Sequence, residues 1–312
     1  MRGRTRWRLA FAGAGIAALL APASFGDAVA KDPTCFGAAA RDPQHPCVDR
    51  TLEQTVRPTP AQARTLPNSP CRPLGDSRPP VCSFGAAAGP VVALVGDSHA
   101  GHWRGALEIV AQSKGWRGFS LTHSSCPLQK ALRDLREPRR THCRRWKRDV
   151  FAWFAAHPEV ETVFVAGLTG GSGVVARPGR SRFETSVQGY ADAWRTLPAT
   201  VRTIVVIRDT PKMAGDTDTC VQRAVTAGRS PGSACAISRS RALDRDPAMV
   251  AAARLATPRV RTVDLTPFFC GSECYPVVGG ALVLRDNTHM TGTFSTTLGP
   301  YLLRAVDAVM AR

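Results

Sequence analysis

The 312-residue chain has no CxxC motif, and His99 and His102 are its only closely spaced histidines. Little is left from which to build a zinc site, because structural zinc is usually gripped by closely spaced Cys and His couples. Tyrosine is scarce, at three residues, and the arginines are scattered rather than interleaved with aromatics along a stripe. That distribution argues against nucleic acid as the partner, even though the formal net charge is +17. No internal repeat is present, which excludes solenoids and propellers. Beyond residue 30 no apolar run approaches the roughly 20 residues that a membrane span needs. What remains is a globular chain, 44% hydrophobic, able to bury one large core or two modest ones.

The amino end reads differently from the rest. Arg2, Arg4, Arg6 and Arg8 precede an apolar run from Leu9 to Ala21, and Ala28-Val29-Ala30 offers small residues at the spacing a signal peptidase reads. The pattern predicts a signal peptide over 1–30 and export to the periplasm, the outer face of the envelope or the medium. An uncleaved membrane anchor is the alternative. Without these residues the chain is still strongly basic, which fits an anionic envelope polymer as partner or simply a solvated basic surface.

Ten cysteines behind such a leader point to disulfides. They fall as local couples, so nearest-neighbour pairing is expected: Cys35 with Cys47, Cys71 with Cys82, Cys126 with Cys143, Cys220 with Cys235 and Cys270 with Cys274.

The organisation changes near residue 88. Residues 31–88 are rich in proline and cysteine and show little periodicity, which predicts an irregular, disulfide-stapled lead-in packed on a main domain over 89–312. In that domain, β-branched runs at Val91–Val95, Gly118–Thr122, Val160–Ala166, Thr203–Ile207 and Val260–Leu265 read as strands. They alternate with helical stretches at His142–His157, Glu184–Leu197 and Arg239–Leu255, and Thr293–Ala311 closes the chain as a helix. Alternation of this kind predicts an α/β fold, a parallel sheet covered on both faces, with ligands outside the carboxyl ends of the strands.

Ser98, in "VALVGDSHAGHW", stands just past the first strand and at the start of a helix. Its hydroxyl is then exposed, beside backbone N–H groups that favour negative charge on a bound oxygen. A plain helix cap is the competing explanation. Near the other end, "RDNTHMT" sets Asp286 and His289 three apart in a loop before the last helix, where the carboxylate can orient one imidazole nitrogen and leave the other facing a hydroxyl. Serine, histidine and acid are the parts of a hydrolytic triad. Asp97 is expected to hold the turn by accepting backbone N–H bonds, and His99 and His102 to lie on the helix surface or line a pocket.

Through Gly96-Asp97-Ser98 and Asp286-x-x-His289 the chain resembles the SGNH hydrolases, or GDSL-like esterases. Through "CFGAAA", "VALVGDSHAGHW", "SSCPL" and "RDNTHMT" it resembles more closely the SGNH domain that accompanies envelope acyltransferases of the acyltransferase-3 type. The resemblance implies a flavodoxin-like three-layer fold, with Ser98 as nucleophile, His289 as base and Asp286 as its orienter. It also implies chemistry on O-acyl groups, often acetyl, of carbohydrates, with no cofactor, no metal, a glycan as substrate or acceptor and a membrane acyltransferase as a possible partner. Relatives take oxyanion donors from a glycine after the second strand and an asparagine after the third. The matching stretches here are "THSSCPL" and "VAGLTGGSGV", without asparagine. Thr169 or backbone N–H groups of Gly170-Gly171 are the candidate replacements, and Ser125 and His99 join them as candidate oxyanion or substrate-binding residues. Two functions follow: an exported serine esterase or O-acyltransferase acting on polysaccharide, or a glycan-binding module that keeps the fold but turns over weakly. A protease fits less well, since nothing else suggests a peptide groove.

Overall fold

The computed structural model describes residues 34–67, 72–75, 78–170 and 173–311. The expected signal peptide over 1–30 lies outside them. Residues 33–312 form one compact unit, and no helix among the described residues is long and apolar enough to cross a membrane.

The five β-branched runs form the strands β3 (Val91–Gly96), β4 (Arg117–Thr122), β5 (Val160–Ala166), β6 (Thr203–Ile207) and β7 (Val260–Val263). They lie parallel in the spatial order β4-β3-β5-β6-β7. Numbered by their own succession this is 2-1-3-4-5, the flavodoxin-like doubly wound order. The edge beyond β4 was not anticipated: β1 (Arg72–Pro73) and β2 (Cys82–Gly85), from the proline-rich segment, continue the sheet in antiparallel fashion. Two-residue and four-residue strands carry too little alternation to register as periodicity.

Alternate side chains of the central strands enter two cores, as the period of two requires. Val92 and Leu94 of β3, Phe164 of β5 and Val205 of β6 pack on one face, with Trp103 and the helices α2 (Arg104–Lys114) and α6 (Gly299–Met310). Ala93 and Val95, Val163 and Val165, and Ile204 and Val206 face the other way, onto α3 (Arg139–Ala156), α4 (Arg182–Thr196) and α5 (Pro247–Leu255). Each large side chain so buried stabilises the fold by roughly 1.5–3 kcal/mol, and the fully buried set includes Trp194, Phe154, Phe164 and Leu94.

Two helices expected to be continuous are broken. Within 239–255 the chain forms a single turn at Arg239–Ala242 and restarts as α5, because Asp246 caps Ala248 and Met249 and Pro247 takes the first helical position. The terminal helix is split into Gly292–Thr297 and α6, whose first two residues are Gly299 and Pro300. Bridges join Cys35 to Cys47, Cys126 to Cys143, Cys220 to Cys235 and Cys270 to Cys274. Cys82 is also disulfide-bonded, and its expected partner Cys71 lies outside the described residues.

Candidate active site

The strand order reverses between β3 and β5, and the crevice at that switch point is where a doubly wound sheet receives ligands. Gly96 ends β3 there. A Cβ on it would lie 2.0 Å from the Ala166 carbonyl oxygen, so only glycine lets the two strand ends run this close. Asp97 follows, buried, and its carboxylate accepts the backbone N–H of His99 at 2.9 Å and that of Leu168, past the end of β5, at 3.1 Å. It holds the turn, as expected, and also ties the two strand ends together. Burial pushes its carboxyl up from the ordinary value, against the pull of His99.

Ser98 then opens the single-turn helix α1 (Ser98–Gly101) with its side chain partly exposed. Its Oγ lies 2.8 Å from His289 Nε2, and His289 Nδ1 lies 2.8 Å from Asp286 Oδ2. A carboxylate can only accept, so Nδ1 carries the proton and Nε2 presents a lone pair to the serine hydroxyl. The loop holding these groups is a short closed turn. Arg285 N–H donates to the His289 carbonyl, and Asp286 Oδ1 accepts the N–H groups of Thr288 and His289, each at 2.8 Å. Partial burial pushes the Asp286 carboxyl up, but the hydrogen bonds from the His289 ring, the His289 backbone and the Thr288 backbone outweigh it and hold the group well below the usual carboxylate range. The loop is pinned from beneath by His102, whose Nδ1 accepts the Met290 N–H at 3.2 Å. Burial pushes the His102 imidazole well below its ordinary value, so it stays neutral and able to accept.

Residues 68–304 match the family described as the SGNH domain fused to AT3 domains. The chain belongs to this SGNH family. A search of curated proteins gave no match. Among solved structures, the SGNH domain is similar to the periplasmic domain of a lipopolysaccharide acetyltransferase from Salmonella ser. Paratyphi A, with a TM-score of 0.52 and 13% identity over 72% of this chain and 85% of that one. A carbohydrate esterase family 2 enzyme with a carbohydrate-binding domain, from Corynascus thermopiles, aligns with a TM-score of 0.39 and 13% identity over 73% of this chain and 69% of that one.

The SGNH domain treats the four auxiliary candidates differently. Thr169 gives both its N–H, at 2.7 Å, and its hydroxyl, at 2.9 Å, to Asp209 Oδ2, so neither is turned toward a substrate oxygen. Gly170 takes φ +65° and packs against Asp244, whose Oδ2 would lie 2.2 Å from an added Cβ; Gly171 lies outside the described residues. Ser125 sits on the loop after β4, and its Oγ accepts from Arg139 at 2.9 Å. His99 is not at the surface but buried, 1% exposed, with its Nδ1 2.6 Å from Asp209 Oδ1. Burial pushes its pKa down, yet the adjacent Asp209 carboxylate outweighs that and raises it.

Asp209 was not singled out from the sequence. It stands two residues beyond β6, a carboxyl-edge position that could have drawn notice. Its two oxygens accept from His99, Thr169 and the Thr210 N–H, and its own N–H donates to Asp246 at 3.1 Å. The carboxylate therefore joins the helix carrying Ser98 to the loop after β5. The His99 ring lies 4.9 Å from that of His289 and 4.8 Å from that of His102, so three imidazoles pack together beside Ser98. His99, His102 and Asp209 are also close enough to hold an ion between them, but the Asp209 oxygens are already committed to N–H and O–H donors.

Proposed function

We propose that this SGNH domain is an exported serine esterase or O-acyltransferase acting on O-acyl groups, chiefly acetyl, of envelope polysaccharide. The observation that carries the reading is the continuous line from Ser98 Oγ through His289 to Asp286, two contacts of 2.8 Å each, at the switch point of the sheet. His289 Nε2 takes the Ser98 proton as Oγ attacks the ester carbonyl. The imidazolium, stabilised by Asp286, then returns the proton to the departing sugar oxygen. An acyl-Ser98 ester is left, which water or a second sugar hydroxyl resolves by the reverse sequence. The backbone N–H of Ser98, without a hydrogen-bond partner among the described residues, is a donor available to the tetrahedral oxyanion.

Export is supported by the disulfides, by the leader-like amino end and by the periplasmic location named for the Salmonella relative. The AT3 domains to which relatives are fused make a membrane acyltransferase the natural donor if the reaction is transfer. Acting alone, the protein is expected to hydrolyse. One observation favours the weaker, glycan-binding alternative: both Thr169 donors are committed to Asp209 and so are lost to the oxyanion, and one lost donor costs roughly 10²- to 10³-fold in rate.

The test is hydrolysis of short aryl acetates by the purified protein, paired with mass spectrometry of envelope glycans after deletion of the gene. Wild type should release the acyl group, with turnover abolished in Ser98→Ala and His289→Ala variants that remain folded. Rising glycan O-acetylation on deletion indicates an esterase and falling O-acetylation a transferase. No aryl-ester turnover and no change in any glycan would leave the binding module.

A further inference from the structure

The outer side of α3 carries two clefts that share Arg78, Arg145 and Asp149 as lining residues, and so form one groove. Its upper part, about 270 Å³, is bounded by His123, His142 and Trp146; its lower part, about 650 Å³, by Arg148, Trp153 and His157. The upper end abuts the carboxyl edge of the sheet, because the His123 N–H donates at 3.1 Å to the carbonyl of Gly96, two positions before Ser98.

The groove is cationic. Among the described residues Asp149 is the only acid lining it, and it is engaged by Arg148 at 2.8 Å. Arg78 and Arg145 have no ion-pair partner among the described residues. Exposed Arg136, Arg139 and Arg144 add positive charge around the start of α3, where the acid Glu137 is occupied by the Thr141 N–H. At the lower end the Trp153 ring stacks on His157, with centroids 3.9 Å apart and planes 16° from parallel. Guanidinium forks suit carboxylate or phosphate groups, and a flat aromatic pair suits the apolar face of a sugar ring.

We infer that this groove seats an anionic polysaccharide, its acid groups on Arg78, Arg145 and Arg148 and a sugar face on the Trp153–His157 pair. This inference rests on the proposed function, since the polymer so held is the acyl-bearing substrate that runs to Ser98. Duplex DNA and anionic membrane are less well matched, because the groove leads to an edge carrying an esterase-like site rather than to a flat basic face.

The experiment measures binding of polygalacturonate, dextran, duplex DNA and anionic phospholipid vesicles to the full chain at physiological ionic strength, where loose surface attraction is largely screened. It compares wild type, the triple variant Arg78→Gln/Arg145→Gln/Arg148→Gln, and a control of equal charge change, Arg195→Gln/Arg202→Gln/Arg229→Gln, made at exposed positions elsewhere. The expected result is polygalacturonate binding that weakens roughly tenfold or more in the groove variant, is retained in the control and exceeds binding to dextran. The inference is overturned by absent polygalacturonate binding, by equal loss in the control, by equal affinity for dextran, or by DNA or vesicles bound as tightly with the same arginine dependence. The two readings fail separately. Groove-dependent binding that persists in Ser98→Ala, with no aryl-ester turnover by wild type, removes the esterase and leaves the groove. Turnover without groove-dependent binding removes the groove alone.

Discussion

Asp286 is nearly half exposed yet accepts four hydrogen bonds, two from backbone, one from the Thr288 hydroxyl and one from the His289 ring. In the proposed mechanism it keeps Nδ1 protonated and the ring aimed, so Asp286→Asn should leave the fold intact and lower kcat by roughly 10²- to 10⁴-fold. The check is steady-state hydrolysis of an aryl acetate, and a kcat within a few-fold of wild type would show that His289 needs no carboxylate. Asp209 acts at one remove, as a positioning residue, through the two segments it ties together. Asp209→Asn turns an amide N–H toward either His99 or Thr169, and is expected to reduce kcat by roughly 10- to 100-fold with KM little changed. A drop confined to thermal stability, with kcat preserved, would reduce Asp209 to a structural brace.

At the scale of elements, α5 begins on a buried acid. Burial and then the charge of Asp209 push the Asp246 carboxyl up to about 6. The folded state therefore holds a proton that the unfolded chain has released. This group's contribution is most favourable below the unfolded value near 4 and is lost as pH rises to about 6, a change on the order of 2–3 kcal/mol. Asp246→Asn should flatten the fall in melting temperature between pH 4 and 6.5, which thermal scans across that range would measure. An unchanged slope would place the Asp246 pKa near its ordinary value. The same residue explains a gap between sequence and structure. Apolar spacing over 239–255 reads as one helix, whereas Asp246-Pro247 is a start signal that periodicity alone ignores. The strand ends at Gly96, Ala166 and Ile207 were legible because β-branched runs stop at Gly, Asp and Arg. Ser98, Asp286 and His289 were legible because each sits in a short motif. The commitment of Thr169 to Asp209 was not, since it depends on two loops 40 residues apart meeting across the sheet edge.

For the molecule as a whole, the bridges divide by location. Cys126–Cys143 staples the loop after β4 to α3, under the start of the cationic groove, and Cys220–Cys235 lies in a small separate cluster with Val221 and Ala224. Each is expected to add a few kcal/mol by restricting the unfolded chain, so verified reduction should lower the melting temperature by at least several degrees. No shift would mean the fold carries its stability without them. The two cores and the switch-point crevice together serve one purpose in this account, which is to hold Ser98 Oγ within hydrogen-bonding reach of His289. The most direct test is to treat the protein with a fluorophosphonate and map the adduct by peptide mass spectrometry. The account predicts a single adduct on Ser98, absent in Ser98→Ala and strongly slowed in His289→Ala. An adduct on another residue, or labelling of Ser98 that proceeds at the wild-type rate without His289, would contradict it.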